Sequence, residues 1–151
     1  MHNRTVAAGL LSVLLLTGCT TNSGDTADKP GPSASGVRLS AGWGPKLITL
    51  TDTKRALCNQ AGDHGCADHV AAIAIEANAL QDVIEKTGGS YPRTKIKIME
   101  IVNGATSYTV HECGGDTNAS IAGSPCPDDV FQVRGGAETL PFTLEADEAG
   151  R

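Results

Sequence analysis

The chain has 151 residues, with 12 Lys plus Arg against 17 Asp plus Glu and a formal net charge of −5. That balance supplies no basic patch to neutralise phosphates, so nucleic acid is not an expected partner. Aromatic residues make up only 3% of the chain, so a core here must be built from Ala, Val, Ile and Leu and is modest, which favours covalent staples.

The first element in chain order is an export segment. Arg4 and the amino terminus make a short positive region, and Val6 to Leu16 is an apolar run. At about 11 residues it has the length of a signal-peptide core, where a helix crossing a bilayer needs about 20. An Ala-x-Ala-like cleavage site does not follow it. Leu16-Thr17-Gly18-Cys19 instead resembles the lipobox of bacterial lipoprotein precursors, with a branched apolar residue three before the cysteine and small residues between. The resemblance covers residues 1–19 only. It implies that 1–18 are a signal peptide, that the Cys19 thiol takes a diacylglyceryl thioether, and that cleavage leaves Cys19 as the first mature residue. It also implies a place: the extracytoplasmic face of the cell membrane, held by the lipid on Cys19. Two acyl chains suffice for stable anchoring at ~0.8 kcal/mol per buried CH₂.

Without Arg4 the mature chain keeps 11 Lys plus Arg against 17 Asp plus Glu, so no polybasic segment assists the lipid. Residues 19–36 hold the lipidated cysteine and a stretch from Thr20 to Gly36 with no large apolar side chain. Such a stretch buries too little to offset ordering entropy and reads as a disordered tether reaching about 20–25 Å. Residues 37–144 form the expected single globular domain, and 145–151 an acidic tail.

Within the domain, Lys46 to Thr51 is a short run rich in branched residues and predicts a strand over 46–51. A short helix through Leu57 to Gln60, capped by Thr51 or Asp52 and ended by Gly62, is expected next. Val70, Ile73, Ala74, Ala77, Leu80, Val83 and Ile84 then fall at steps of three and four. They predict a helix over 68–87, stopped by Lys86 and Gly88-Gly89. After Pro92, Ile98, Ile101, Val102, Ala105 and Tyr108 repeat the helical stripe, while Asn103-Gly104 between branched runs is a hairpin signal. Both readings stand on the residues; we adopt the helix, over 92–112. Val130 to Arg134 and Thr139 to Leu144, joined at Gly135-Gly136, predict two further strands, with Pro141 at an edge. The expected fold is therefore α+β: an antiparallel helical hairpin packed on a small antiparallel sheet of 46–51, 130–134 and 139–144.

Setting Cys19 aside leaves Cys58, Cys66, Cys113 and Cys126, an even set in an exported domain, where disulfides are the rule. Three pairings are open. A helical hairpin turning at Gly88 to Tyr91 brings Cys66 and Cys113 to its open end, which favours the nested pairing 66–113 with 58–126 over the local one, 58–66 with 113–126; the crossed one comes third. Asp63, His64, Cys66 and His69, with His111, Glu112 and Cys113 brought near by the hairpin, form an alternative zinc-ligating set. Their spacings match no recognised zinc motif, and oxidised cysteines do not ligate, so no metal or other cofactor is assigned.

No Gly-x-Ser-x-Gly, P-loop, Gly-x-Gly-x-x-Gly or His-Glu-x-x-His motif occurs, and no catalytic residue is assigned. Ser90 and Ser124 sit in turns where serine serves the backbone. From Glu112 onward eight acidic residues face only Arg134 and Arg151, which reads as a solvated acidic surface. The expectation is a non-catalytic cell-envelope binding module with an envelope protein or cell-wall partner. A small extracytoplasmic metal-binding or hydrolytic protein is the alternative.

Overall fold

The computed structural model describes residues 38–52 and 55–150. The expected signal peptide, Cys19 and the expected tether lie outside the described residues. The described residues form four α-helices and one short 3₁₀ turn: α1 Leu39–Asp52, the turn Arg55–Cys58, α2 His64–Thr87, α3 Pro92–Val110 and α4 Cys126–Ala149. No strand occurs among the described residues, so the domain is all-α and the expected sheet is absent. Successive helices run antiparallel, and the most extensive packing joins α3 to α4 and α1 to α4.

Both predicted central helices are present, as α2 and α3. Val70, Ile73, Ala77, Leu80 and Ile84 of α2 are buried, as are Ile98, Ile101 and Tyr108 of α3. Gly88 ends α2 in the left-handed conformation at φ 65°, its N–H donating to the Glu85 carbonyl. The hairpin reading of Asn103-Gly104 fails for a packing reason. Gly104 lies mid-helix where α3 meets α4, and a Cβ there would sit 3.0 Å from Val133 Cγ2. Its absent side chain is a contact surface, which offsets the helix propensity it lacks.

The three predicted strands are helical. Leu140, Phe142 and Leu144 would share one face of a strand. In α4, Leu140 and Leu144 are buried four residues apart and Phe142 points out at 67% exposure. Val130, Val133, Ala137, Leu140 and Leu144 form the buried stripe, at steps of three and four. Gly135-Gly136 is not a turn. Gly136 faces α3, where an added Cβ would stand 2.6 Å from Ile101 Cγ1, so the pair marks a close helix crossing. Pro141 is buried inside α4, not on a sheet edge, and removes only the bond that its N–H would make to the Ala137 carbonyl. Residues 46–51 belong to α1, where Leu47 and Thr51 face in and Ile48 and Thr49 face out. The Thr49 and Thr51 hydroxyls donate to the carbonyls of Pro45 and Leu47, so these branched residues satisfy themselves within the helix. Lys46 stacks 4.6 Å above the Trp43 ring and pairs with Glu76 of α2 at 2.5 Å.

Glu145 to Ala149 are the last turns of α4, not a free tail. Asp147 is buried there and accepts from the Thr94 N–H and hydroxyl, both at 2.8 Å, and from the Arg93 N–H at 3.4 Å. It caps the start of α3, whose own preceding residue offers no side-chain cap. Glu148 accepts from the Ser40 hydroxyl at 2.5 Å and the Ser40 N–H at 3.2 Å, tying α1 to the same end.

Candidate functional site

The four domain cysteines form two disulfides, and the pairing is local: Cys58–Cys66 and Cys113–Cys126. The nested pairing is thereby overturned. Its geometric premise holds, since Cys66 opens α2 and Cys113 follows α3 at the same end of the antiparallel pair. Each cysteine is taken by a nearer partner because the flanking loops fold back. The 3₁₀ turn brings Cys58 to the first turn of α2. The loop 114–125 returns to start α4 at Cys126.

The Cys113–Cys126 bridge sits in a corner built from three chain segments. Cys113 N–H donates to the Tyr108 carbonyl at 3.1 Å, closing α3 with Glu112 left-handed at φ 54°. That cap normally takes glycine. It turns His111 back toward α4, where His111 Nδ1 lies 2.7 Å from Asp129 Oδ2. Asp129 is buried in the first turn of α4, where the helix N-terminus favours a carboxylate. Nearby, the buried Tyr108 hydroxyl donates to the Ala61 carbonyl at 2.5 Å. Burial, with the Asp63 charge, pushes the Tyr108 phenol above its usual range, so it stays a donor in neutral and alkaline solution.

The zinc set drawn from sequence does not assemble. His69 is buried on the core side of α2, and His64 is exposed beside Gly115. Cys66 is oxidised to Cys58. Among the described residues, one group of metal-capable side chains converges: ligand atoms of His111, Cys113 and Asp129 lie within 4.8 Å of one another. A disulfide sulfur is neither a thiolate nor a donor. With the bridge closed, this corner therefore offers an ion two ligands, fewer than the four zinc takes. The 3.9 Å approach of Cys113 Sγ to Asp129 is a packing contact. Ser124 accepts from the Cys126 N–H at 3.3 Å, the backbone role expected of it.

A groove runs between α2 and α3 on the side away from α4. It encloses about 740 Å³ over a floor of Ala67, Ala71, Ala74, Val102 and Ala105, with Thr106, Thr109 and Glu112 at its rim. A second depression of about 470 Å³ adjoins it at Asn78 and Val102 and carries Ile96 and Met99. These two side chains are 53% and 56% exposed. Sequence reasoning missed this surface. Its signal is the run Ala67, Ala71, Ala74, Asn78 at steps of four, three and four, a stripe of small residues beside the core stripe of α2.

Fold and site together define a small, disulfide-stapled domain with four helices among the described residues, whose surface features are a groove and a corner where exposed His111 meets buried Asp129. No family model, curated protein or solved structure matches the chain.

Proposed function

We propose that this protein is a lipid-anchored, extracytoplasmic interaction module that holds an envelope protein in the α2–α3 groove. The observation that carries the reading is the groove itself. Its floor of alanine and valine suits apolar side chains of a protein partner, whereas a wall glycan needs a denser lining of hydrogen-bonding groups. The two disulfides support an oxidising compartment. No described helix is long and apolar enough to cross a membrane, so attachment rests on the lipobox-like Leu16-Thr17-Gly18-Cys19.

Two experiments test this reading. Cys19→Ser should abolish globomycin-sensitive processing and release the protein from the membrane; normal retention of that variant contradicts the anchor. In cells, Ala71→Arg and Ala74→Arg should remove a cross-linked envelope partner while both disulfides stay formed. An unchanged cross-link pattern contradicts the groove as the docking surface.

A metal-binding reading draws on one observation, the convergence of His111, Cys113 and Asp129. Opening the Cys113–Cys126 bridge with a dithiol yields two thiols, giving a Cys₂-His-Asp donor set of the kind zinc takes. Zinc titration of reduced protein should then show a site lost in His111→Ala. Equal zinc binding by that variant rules the reading out.

A further inference from the structure

From residue 86 to residue 97 the sequence holds four basic residues, Lys86, Arg93, Lys95 and Lys97, and no acidic one. The negative net charge of the whole chain hides this run, and the fold concentrates it. Lys86 lies in the last turn of α2 and the other three in the first turns of α3, so all four sit at the end of the bundle away from the disulfides. Arg38 joins them, because Ser40 at the start of α1 is tied to Glu148 at the end of α4. Lys97 pairs with Glu100. Arg38, Lys86, Arg93 and Lys95 are exposed, and none of them forms an ion pair among the described residues. Three acids of this end are engaged: Asp147 caps α3, Glu148 holds Ser40, and Glu85 accepts from Gln81 at 2.9 Å. Asp82 and Glu145 stay exposed. Ile96 and Met99, both more than half exposed, stand among the cations.

We propose that this end is a docking face for an anionic lipid surface. Arg38, Lys86, Arg93 and Lys95 sit among headgroup phosphates there, and Ile96 enters the interface between them. The chain itself indicates what covers the face. Residues before 38 join the domain at this end. The tether expected from Thr20 to Gly36 therefore holds the face within about 20–25 Å of the bilayer, a setting that rests on the lipid-anchor reading. Charge supports the same occupant. Each basic residue near an anionic surface favours contact about fivefold, so four cations against two exposed acids leave about 25-fold. The other acids are remote. Helix α2 has 24 residues and spans about 36 Å. Asp63, Asp116 and Asp128 at the stapled end thus lie several Debye lengths of about 8–10 Å from the surface. Ala67, Ala71 and Ala74 are about 18 Å or more up α2 from Lys86, so the groove floor stays clear for a protein partner.

The test separates this face from the acyl anchor. Residues 19–151 with Cys19→Ser and an amino-terminal histidine tag are held on vesicles by a nickel-chelating lipid, which stands in for the acyl chains. Trp43, the only tryptophan, is replaced by Phe, and Ile96→Trp supplies a fluorescent reporter. Met99→Trp is a second reporter, should the first disturb the helix. Brominated phosphatidylglycerol should quench the reporter, brominated phosphatidylcholine alone should not, and added salt should reverse the quenching. Lys86→Gln, Arg93→Gln and Lys95→Gln together should weaken docking about a hundredfold, abolishing quenching while the tag keeps the chain on the vesicle. Equal quenching by both lipids, quenching that survives the triple substitution, or none at either reporter would each overturn the face. The anchor is judged apart from this, by membrane retention of the native and Cys19→Ser proteins in cells, so either reading can fail alone.

Discussion

The two ends of the helical bundle are secured by different chemistry. At one end, where α2 and α4 begin and α3 finishes, two disulfides and the His111–Asp129 pair join segments that are close in sequence. At the other end no covalent link exists among the described residues. There the last turns of α4 reach residues 53 to 108 positions away, through Asp147 to Thr94 and Glu148 to Ser40. The bridges restrict the unfolded chain over short loops, which is chiefly an entropic effect. The carboxylates act only in the folded state and fail if either helix shifts. One end therefore answers to reductant, and the other to substitution and pH.

The largest expected effect falls on the non-covalent end. Asp147→Ala leaves the Thr94 N–H and hydroxyl without their acceptor inside the protein and removes a negative charge from the start of α3. Each charge-assisted bond is worth about 1.5 kcal/mol or more, so a loss of about 3 to 4 kcal/mol is expected in urea unfolding. Asp147→Asn should cost less, since an acceptor remains. A loss under about 1 kcal/mol in Asp147→Ala would show that water replaces the cap and that the ends differ less than their geometry implies.

Next comes the stapled end. The Cys113–Cys126 bridge spans 13 residues and the Cys58–Cys66 bridge 8. In the loop-entropy picture they contribute about 3 and 2.5 kcal/mol. Replacing Cys113 and Cys126 together by Ala should cost about that larger amount and make the remaining stability less sensitive to dithiothreitol. Equal sensitivity before and after would mean that Cys58–Cys66 carries the covalent effect.

This contrast also explains how much of the molecule is legible in the sequence. Helices α2 and α3 are, because their apolar stripes are clean and Gly88 and Pro92 punctuate them. Helix α4 is not, although Val130, Val133, Ala137, Leu140 and Leu144 keep helical steps. Phe131 and Phe142 add apolar residues to the outer face and blur the period, and Gly135-Gly136 and Pro141 carry the local signals of a turn and an edge. The physical reason for Gly136 lies on another helix, at Ile101, and no local rule contains it. Helix α1 is hidden in the same way by a branched run and an internal proline. The even cysteine set is readable, but its pairing depends on how the loops at 59–63 and 114–125 fold back. The His111–Asp129 contact across that second loop, and the cap from Asp147 to Thr94, are likewise products of tertiary structure. Residues 145–148 read as a tail because carboxylates near a chain end usually are solvated.

A smaller effect tests whether the stapled end stores strain. Glu112 occupies a left-handed cap position at φ 54°, which costs a non-glycine residue about 1 kcal/mol or more. Glu112→Gly should therefore stabilise the protein by roughly that amount, with His111 and Asp129 still paired. Destabilisation would mean that the Glu112 side chain supports the corner.

The smallest effect belongs to pH. Burial pushes the Glu148 carboxyl up, but the Ser40 hydroxyl and N–H, the Leu39 N–H and the Tyr91 hydroxyl outweigh it and hold the group below its ordinary 4.5. A carboxyl held low favours the folded state above its ordinary value, and that contribution fades as pH falls through the lower, folded-state value. Docking of α1 should thus loosen on acidification through and below that ordinary value while the bridges, which do not titrate, keep the other end closed. Amide exchange separates the two. Protection of α1 should fall across that range in the native protein, and Glu148→Gln, which cannot ionise, should show the loss already at neutral pH and little further change. Protection of the first turn of α2, next to Cys58–Cys66, should follow neither the acid step nor the substitution. If α1 and the start of α2 open together, the bundle melts as one unit and the chemical difference between its ends has no thermodynamic counterpart.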